Sequence, residues 1–310
     1  MKPRLIWTLR ATLVAMIPAA IGVSCIEPTG PGPRLTEPRI LFVSNRDGNE
    51  EIYSMNSDGT NVVRLTNNLA RDTHPVWSPE GTALVFVSER TGNRDIWVMN
   101  ADGTGLRNLT ADPSVDDNPT WSPDAQRIAF SSNRVGNVEL FVSNADGSAN
   151  PDGTRVTRLT DHFASDTWPA YSPDGRFIAF QADRNSINDD IYVLYNTLNE
   201  ITRMTTAGGP DQSPIWSPVG TKIAFSSTRD GNLEIYTMDF SFFPVASPNQ
   251  INLTNDPGSD VRPSWSFNAQ KICWTSNRGG NNDIWIMNAD GSSPTRITTE
   301  PSVDDFCSIK

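Results

Sequence analysis

WSPDAQRIAFSSNRVGNVELFVSNADG, residues 121–147, reads as two short β-prone runs held between turns. IAFSS (128–132) and ELFVS (139–143) have strand length and apolar character, and polar, Gly-containing segments bound both. The closing Asp146-Gly147 supplies the tight-hairpin signal, because glycine tolerates the positive φ that such turns need. One aromatic anchor, two strands and two turns make up a β-meander.

The same unit recurs on both sides. Anchors at Trp77, Trp121, Tyr171, Trp216 and Trp265 open WSPEG (77–81), WSPDA (121–125), YSPDG (171–175), WSPVG (216–220) and WSFNA (265–269). Their spacings, 44, 50, 45 and 49 residues, match a four-stranded propeller blade. Strand a holds the anchor and strand b follows the turn, as in ILFVS (40–44), LVFVS (84–88) and ICWTS (272–276). Strand c carries pairs such as Ile52-Tyr53 and Ile96-Trp97, and strand d ends in Leu-Thr or a close relative of it.

Strands b, c and d each occur six times, whereas the anchored strand a occurs five times. PSVDDFCSIK (301–310) supplies the sixth, because it aligns with PSVDDNPTWS (113–122) and puts Ile309 at the place of Trp121. The expectation is an all-β, closed six-bladed β-propeller of four-stranded antiparallel blades over residues 39–310, its C-terminal strand completing the first blade. Closure removes the free sheet edges that invite aggregation.

The repeated WSPDG, IAFxSxR, IYxMNxDG and LT elements are similar to the TolB-type propeller repeats of bacterial envelope proteins. The resemblance covers nearly the whole chain after residue 38. It implies the fold strongly and the namesake's own role weakly, because that protein has an N-terminal α/β domain for which residues 26–38 leave no room.

Residues 1–24 read as an export signal, with Lys2, Arg4 and Arg10 ahead of an apolar stretch from Ala11 to Val23. Ile21-Gly22-Val23-Ser24-Cys25 resembles a bacterial lipobox, which implies lipidation at Cys25; ordinary cleavage nearby is the alternative. Residues 25–38 would then be a Pro- and Gly-rich tether, leaving the lipid as the sole link to the membrane. The expected location is the bacterial cell envelope, exported and lipid-anchored, at the outer membrane or its periplasmic face. Loss of the three basic residues takes the formal charge from −11 to −14, which argues against nucleic acid as a partner. A monomer is expected. Cys273 and Cys307 can pair in an oxidising compartment, though neither spacing nor motif demands it.

Some polar residues recur in every blade. Asp72, Asp116, Asp166, Asp211, Asp260 and Asp304 lie five residues before the anchor. They are expected to accept backbone N–H bonds in their own turns, with a cation-binding ring as the alternative. The pattern calls for no cofactor, and a channel-bound cation is the one addition it would admit. Arg46, Arg90, Arg134, Arg184, Arg229 and Arg278 follow strand b. Each is expected to pair with the acid soon after it, namely Glu51, Asp95, Glu139, Asp190, Glu234 or Asp283.

Function should lie where the repeats differ. Three residues before the anchor stand His74, Asn118, Trp168, Ser213, Arg262 and Phe306, expected to present a mixed surface at the channel mouth. Exposure without a role is the competing reading. The segment 239–250 replaces a hairpin with DFSFFPVASPNQ, where Phe240, Phe242 and Phe243 can meet a partner, lipid or the protein's own surface. The a–b and c–d turns share one end of the ring, so the tether and this Phe-bearing loop should face the membrane and the mouth should face away.

Only two histidines are present, His74 and His162, with no metal-ligand spacing and no nucleophile elbow. The leading expectation is a non-catalytic envelope protein that binds a protein, a peptide or a glycan at the mouth. The alternative is a carbohydrate-active lyase or hydrolase using His74 and channel-mouth carboxylates.

Overall fold

The computed structural model describes residues 39–184, 188–241 and 249–310. The export signal, Cys25, the tether, Phe242 and Phe243 lie outside the described residues.

The first blade holds β1 (Arg39–Ser44), β2 (Glu51–Asn56) and β3 (Val63–Arg64). The second runs β4 (Asp72–Trp77), β5 (Ala83–Ser88), β6 (Asp95–Asn100) and β7 (Arg107–Asn108). The third follows with β8 (Asp116–Trp121), β9 (Arg127–Ser132), β10 (Glu139–Asn144) and β11 (Val156–Arg158). The fourth is β12 (Asp166–Tyr171), β13 (Phe177–Ala182), β14 (Asp190–Tyr195) and β15 (Glu200–Arg203). The fifth is β16 (Asp211–Trp216), β17 (Lys222–Ser227), β18 (Glu234–Asp239) and β19 (Gln250–Asn252). The sixth is β20 (Asp260–Trp265), β21 (Lys271–Ser276), β22 (Asp283–Asn288) and β23 (Thr295–Arg296). The last strand, β24 (Asp304–Ile309), pairs antiparallel with β1, so the first sheet has the order β24-β1-β2-β3. The closure expected from the strand count is present.

Each repeated motif has a physical task. The Thr of every Leu-Thr pair accepts the N–H that opens strand c, as Thr66 does from Ile52 at 2.9 Å and Thr110 from Ile96 at 2.9 Å. Strand d is only two to four residues long, and this bond fixes it where a ladder alone would fray. The Ser of the SP turn closes the a–b hairpin, as Ser122 does by accepting the Arg127 N–H at 2.9 Å. Between blades, strand-b aromatics such as Phe42, Phe86, Phe130 and Phe180 are wholly buried. The sixth blade has Trp274 at this position, equally buried.

The repeated arginines do not pair with the acids that follow them. Arg46 pairs with Asp304 at 3.0 Å, Arg90 with Asp72 at 2.7 Å, Arg134 with Asp116 at 2.9 Å and Arg229 with Asp211 at 2.8 Å. Arg184 and Arg278 reach Asp166 and Asp260 in the same way. Each guanidinium also lies between the aromatic rings of strands b and c, 4.6 to 5.9 Å from their centroids. The following acids turn outward to strand d instead, as in Glu51–Arg64 at 3.1 Å and Asp190–Arg203 at 2.6 Å. Sequence proximity misleads here because strands a and b are neighbours in the sheet.

Cys273 and Cys307 are joined, with Cα atoms 6.3 Å apart. The bond links β21 of the sixth blade to β24 of the first, across the seam where the ring closes. Ile40, Phe42 and Met55 of the first blade pack there against Ile284 and Ile286 of the sixth.

Candidate functional site

Strand a carries a one-residue bulge in all six blades. In the second blade Thr73 faces Val87 and Val76 faces Val85, so three steps on β4 match two on β5. The residue in the bulge is the variable one. His74, Asn118, Trp168, Ser213, Arg262 and Phe306 all have left-handed backbones, with φ of 52°, 52°, 55°, 53°, 56° and 55°. L-residues incur about 1–2 kcal/mol there, so six such positions mark a shape imposed by the fold. Five are followed by proline, and Phe306 by the disulfide-bonded Cys307. The six side chains line one axial cavity of ≈ 110 Å³, together with the prolines after them.

All six are half-buried. Three are drawn together as rings: His74 is 4.0 Å from Phe306 and 5.4 Å from Trp168, while Trp168 and Phe306 lie 6.3 Å apart and nearly parallel. Arg262 caps this cluster, 4.1 Å from the Phe306 centroid and 5.9 Å from that of Trp168. Its guanidinium bonds both carboxylate oxygens of Asp305 at 2.8 Å. Asn118 and Ser213 line the cavity but are engaged elsewhere. Asn118 accepts from the Ser131 hydroxyl at 2.8 Å, and the Ser213 N–H donates to Gln181 at 2.8 Å.

Residues one step earlier on strand a complete the mouth. Asp117 lies 3.4 Å from Nδ1 of His74 and accepts from Arg94 at 2.6 Å. Asp305 also accepts from the Thr275 hydroxyl at 2.8 Å. Gln181 and Gln212 both donate to Asp189, at 3.2 and 3.0 Å. The mouth is therefore charged on one side and lined by amides on the other. The rule that picked out the variable bulge position would have found Asp117 and Asp305, since Thr73, Thr167, Gln212 and Val261 are their counterparts.

Burial lowers the His74 pKa, and the nearby Arg262 and Arg94 add to this, outweighing Asp117 and Asp305. Burial thus favours the neutral imidazole.

The six repeated aspartates take no part in the mouth. Each is fully buried and is held mainly by its arginine and by side-chain donors such as Asn68 for Asp72 and Ser302 for Asp304, rather than by its turn's backbone, and one oxygen of Asp72 and one of Asp260 accept no hydrogen bond. Burial raises the carboxyls of Asp72, Asp116 and Asp166 above the usual range, against the pull of their partners. Among the described residues, no group of three or more His, Cys, Asp or Glu side chains is placed to hold a metal ion. Phe240 packs on the protein itself, 4.5 Å from Trp216 and 5.2 Å from Phe177, both edge-on.

Comparison with known proteins agrees with this architecture. The family model described as the TolB beta propeller domain matches residues 75–151 and 209–308. A Protein TolB homolog of Chlorobaculum tepidum is 54% identical over 44 residues, 14% of this chain and 10% of that protein. A Tol-Pal system protein TolB of Geobacter sulfurreducens is 50% identical over 46 residues, 15% and 11% of the two. The matched stretches thus span about a tenth of the length of these curated relatives. Among solved structures, TolB from Acinetobacter baumannii superposes with a TM-score of 0.74 at 22% identity, covering 87% of this chain and 66% of that one. An oligogalacturonate lyase in complex with manganese gives 0.58 at 14% identity, covering 85% and 74%. Likeness at that identity concerns the fold alone. The family match spans more than half of the residues and falls on the repeats that build the ring, and this chain belongs to the TolB beta propeller domain family.

Proposed function

We propose that the protein is a non-catalytic component of the bacterial cell envelope that binds a protein partner through its axial mouth. The observation that carries this is the cluster of His74, Trp168, Phe306 and Arg262, four different blades meeting at one small cavity. At ≈ 110 Å³ it falls below the roughly 300 Å³ of an ordinary small-molecule pocket, and suits one inserted side chain or chain end better than a whole glycan. Rigid aromatic and arginine anchors are the residues that most often dominate such contacts. Relatives named as Tol-Pal system proteins support an envelope role.

Export by residues 1–24 and lipidation at Cys25 would tether the ring by its first strand. Arg39 opens β1 at the a–b end of the ring, opposite the end that carries the b–c and d–a loops. Affinity capture from native envelopes tests the reading, with wild-type protein beside Trp168→Ala and Arg262→Ala. A partner kept by the wild type and lost by both variants supports it. Full retention on both would overturn it.

A second reading rests on the 3.4 Å contact of His74 Nδ1 with Asp117, an arrangement in which a carboxylate can orient an imidazole for service as a general base. A carbohydrate-active lyase would need such a group. Formation of unsaturated uronate from oligogalacturonate, abolished in His74→Ala, would establish it.

A further inference from the structure

We infer that the mouth end of the ring docks a cationic protein surface, one bearing lysine or arginine around apolar side chains. The inference rests on the mouth being the partner site and names the chemistry of that partner.

The first support is the distribution of charge. Loops b–c and d–a, with the strand ends beside them, form the mouth end, where acidic side chains outnumber arginines by nearly two to one. The described lysines, Lys222, Lys271 and Lys310, all lie at the opposite end. Every arginine at the mouth end is ion-paired with a carboxylate of the protein. Cationic charge there is thus consumed internally. The exposed surplus is carboxylate, carried by Asp183, Asp230 and Glu300, and by Asp47 and Asp161, which share Arg64 and Arg158 with the buried Glu51 and Glu139. Such a field attracts a basic partner, suppresses acidic ones and raises the rate of productive encounter.

The second support is the shape and polarity of the rim. Three residues before each buried aspartate, the d–a loop reaches its tip at Leu69, Pro113, Phe163, Gly208, Pro257 and Pro301, all exposed. Leu69 is 103% and Phe163 86% exposed, the two most exposed large apolar side chains of the described residues. Phe163 is braced by the His162 ring at 4.2 Å, and Nδ1 of His162 accepts the Ala164 N–H at 3.1 Å. Two exposed apolar tips on an acidic rim, beside the aromatic mouth, fit a basic surface that projects one anchor inward.

The test uses fluorescently labelled peptides and anisotropy: octalysine, octaglutamate, and a peptide with two central leucines between lysine triplets. Octalysine should bind at low salt and weaken about tenfold or more on raising salt to physiological strength, while octaglutamate stays unbound. Asp161→Lys with Glu300→Lys should weaken octalysine about tenfold, and Glu80→Lys with Glu200→Lys at the opposite end less than about twofold. The leucine peptide should bind about threefold tighter than octalysine, a gain removed by Leu69→Ser with Phe163→Ser. Equal loss from the two charge-reversed pairs, or binding of octaglutamate, would overturn the inference. A captured partner lost in Trp168→Ala but kept when Asp161 and Glu300 are reversed would preserve the mouth as a site and remove its cationic selectivity.

Discussion

Removing the Cys273–Cys307 bond tests how far the ring depends on its seam. The two residues are 34 apart in sequence, so in the unfolded chain the bond closes a loop of that length. Chain-entropy bookkeeping gives about 13 cal/mol/K for such a loop, or about 4 kcal/mol at 25 °C. With an unfolding entropy of about 2.1 cal/mol/K per residue over the ordered ring, the melting point should fall by about 7 °C. Cys273 is fully buried and Cys307 nearly so, so reductant must be added to unfolded protein before refolding. Calorimetry of the oxidised and reduced forms reads the shift directly. Hydrogen exchange should then show β24 opening ahead of the other strands, since its register with β1 has lost its lateral tie. Melting points within about 1 °C of each other, with β24 equally protected, would refute the claim that this bond secures the closure.

Other perturbations follow from the same geometry. Arg134→Ala leaves the fully buried Asp116 without its cation and should cost about 3–5 kcal/mol in urea unfolding; adding Asp116→Asn should return part of it. Ser213→Gly places the residue best suited to φ 53° in the fifth bulge and should raise stability by about 1 kcal/mol, read as a higher denaturation midpoint. His74 has a lowered folded pKa, so the unfolded chain takes up its proton first as pH falls. Its contribution to stability is intact above about pH 6.5 and declines below it, and His74→Gln should flatten the pH dependence of the denaturation midpoint between about pH 7 and 5. A variant curve parallel to the wild type would remove His74 from that account.

The ring was legible in the sequence because each structural problem is solved the same way six times. The SP turn, the strand-b aromatic and the Leu-Thr pair are local devices, and their order fixes the blade. Closure was legible too, since PSVDDFCSIK repeats PSVDDNPTWS (113–122) closely enough to place Ile309 at the anchor. Partner choice among charged residues was not. Arg90 has Asp95 five residues away and Asp72 eighteen away, and only the pairing of β4 with β5 shows why the distant one wins. The left-handed bulges were equally hidden. Glycine usually announces positive φ, yet His, Asn, Trp, Ser, Arg and Phe occupy these positions, and the proline after five of them is the sole local sign. Variation between repeats picked out six residues that the fold brings to one cavity, because residues bound to a scaffold task recur in every blade.

That division of labour explains where the strain is absorbed. The buried Arg–Asp pairs and the aromatic rings around them are repeated in every blade, and they hold strand a in a bulge its residues would not choose. The bulge in turn aims one unconstrained side chain at the axis. The closing strand obeys this plan with two departures, Cys307 in place of proline and Ile309 in place of the aromatic anchor. It is also the strand that brings Phe306 and Asp305, and through Asp305 the orientation of Arg262, to the mouth. Ring closure and assembly of the mouth are therefore one event. A partner that binds the assembled mouth binds only the closed ring, and so stabilises the seam by mass action.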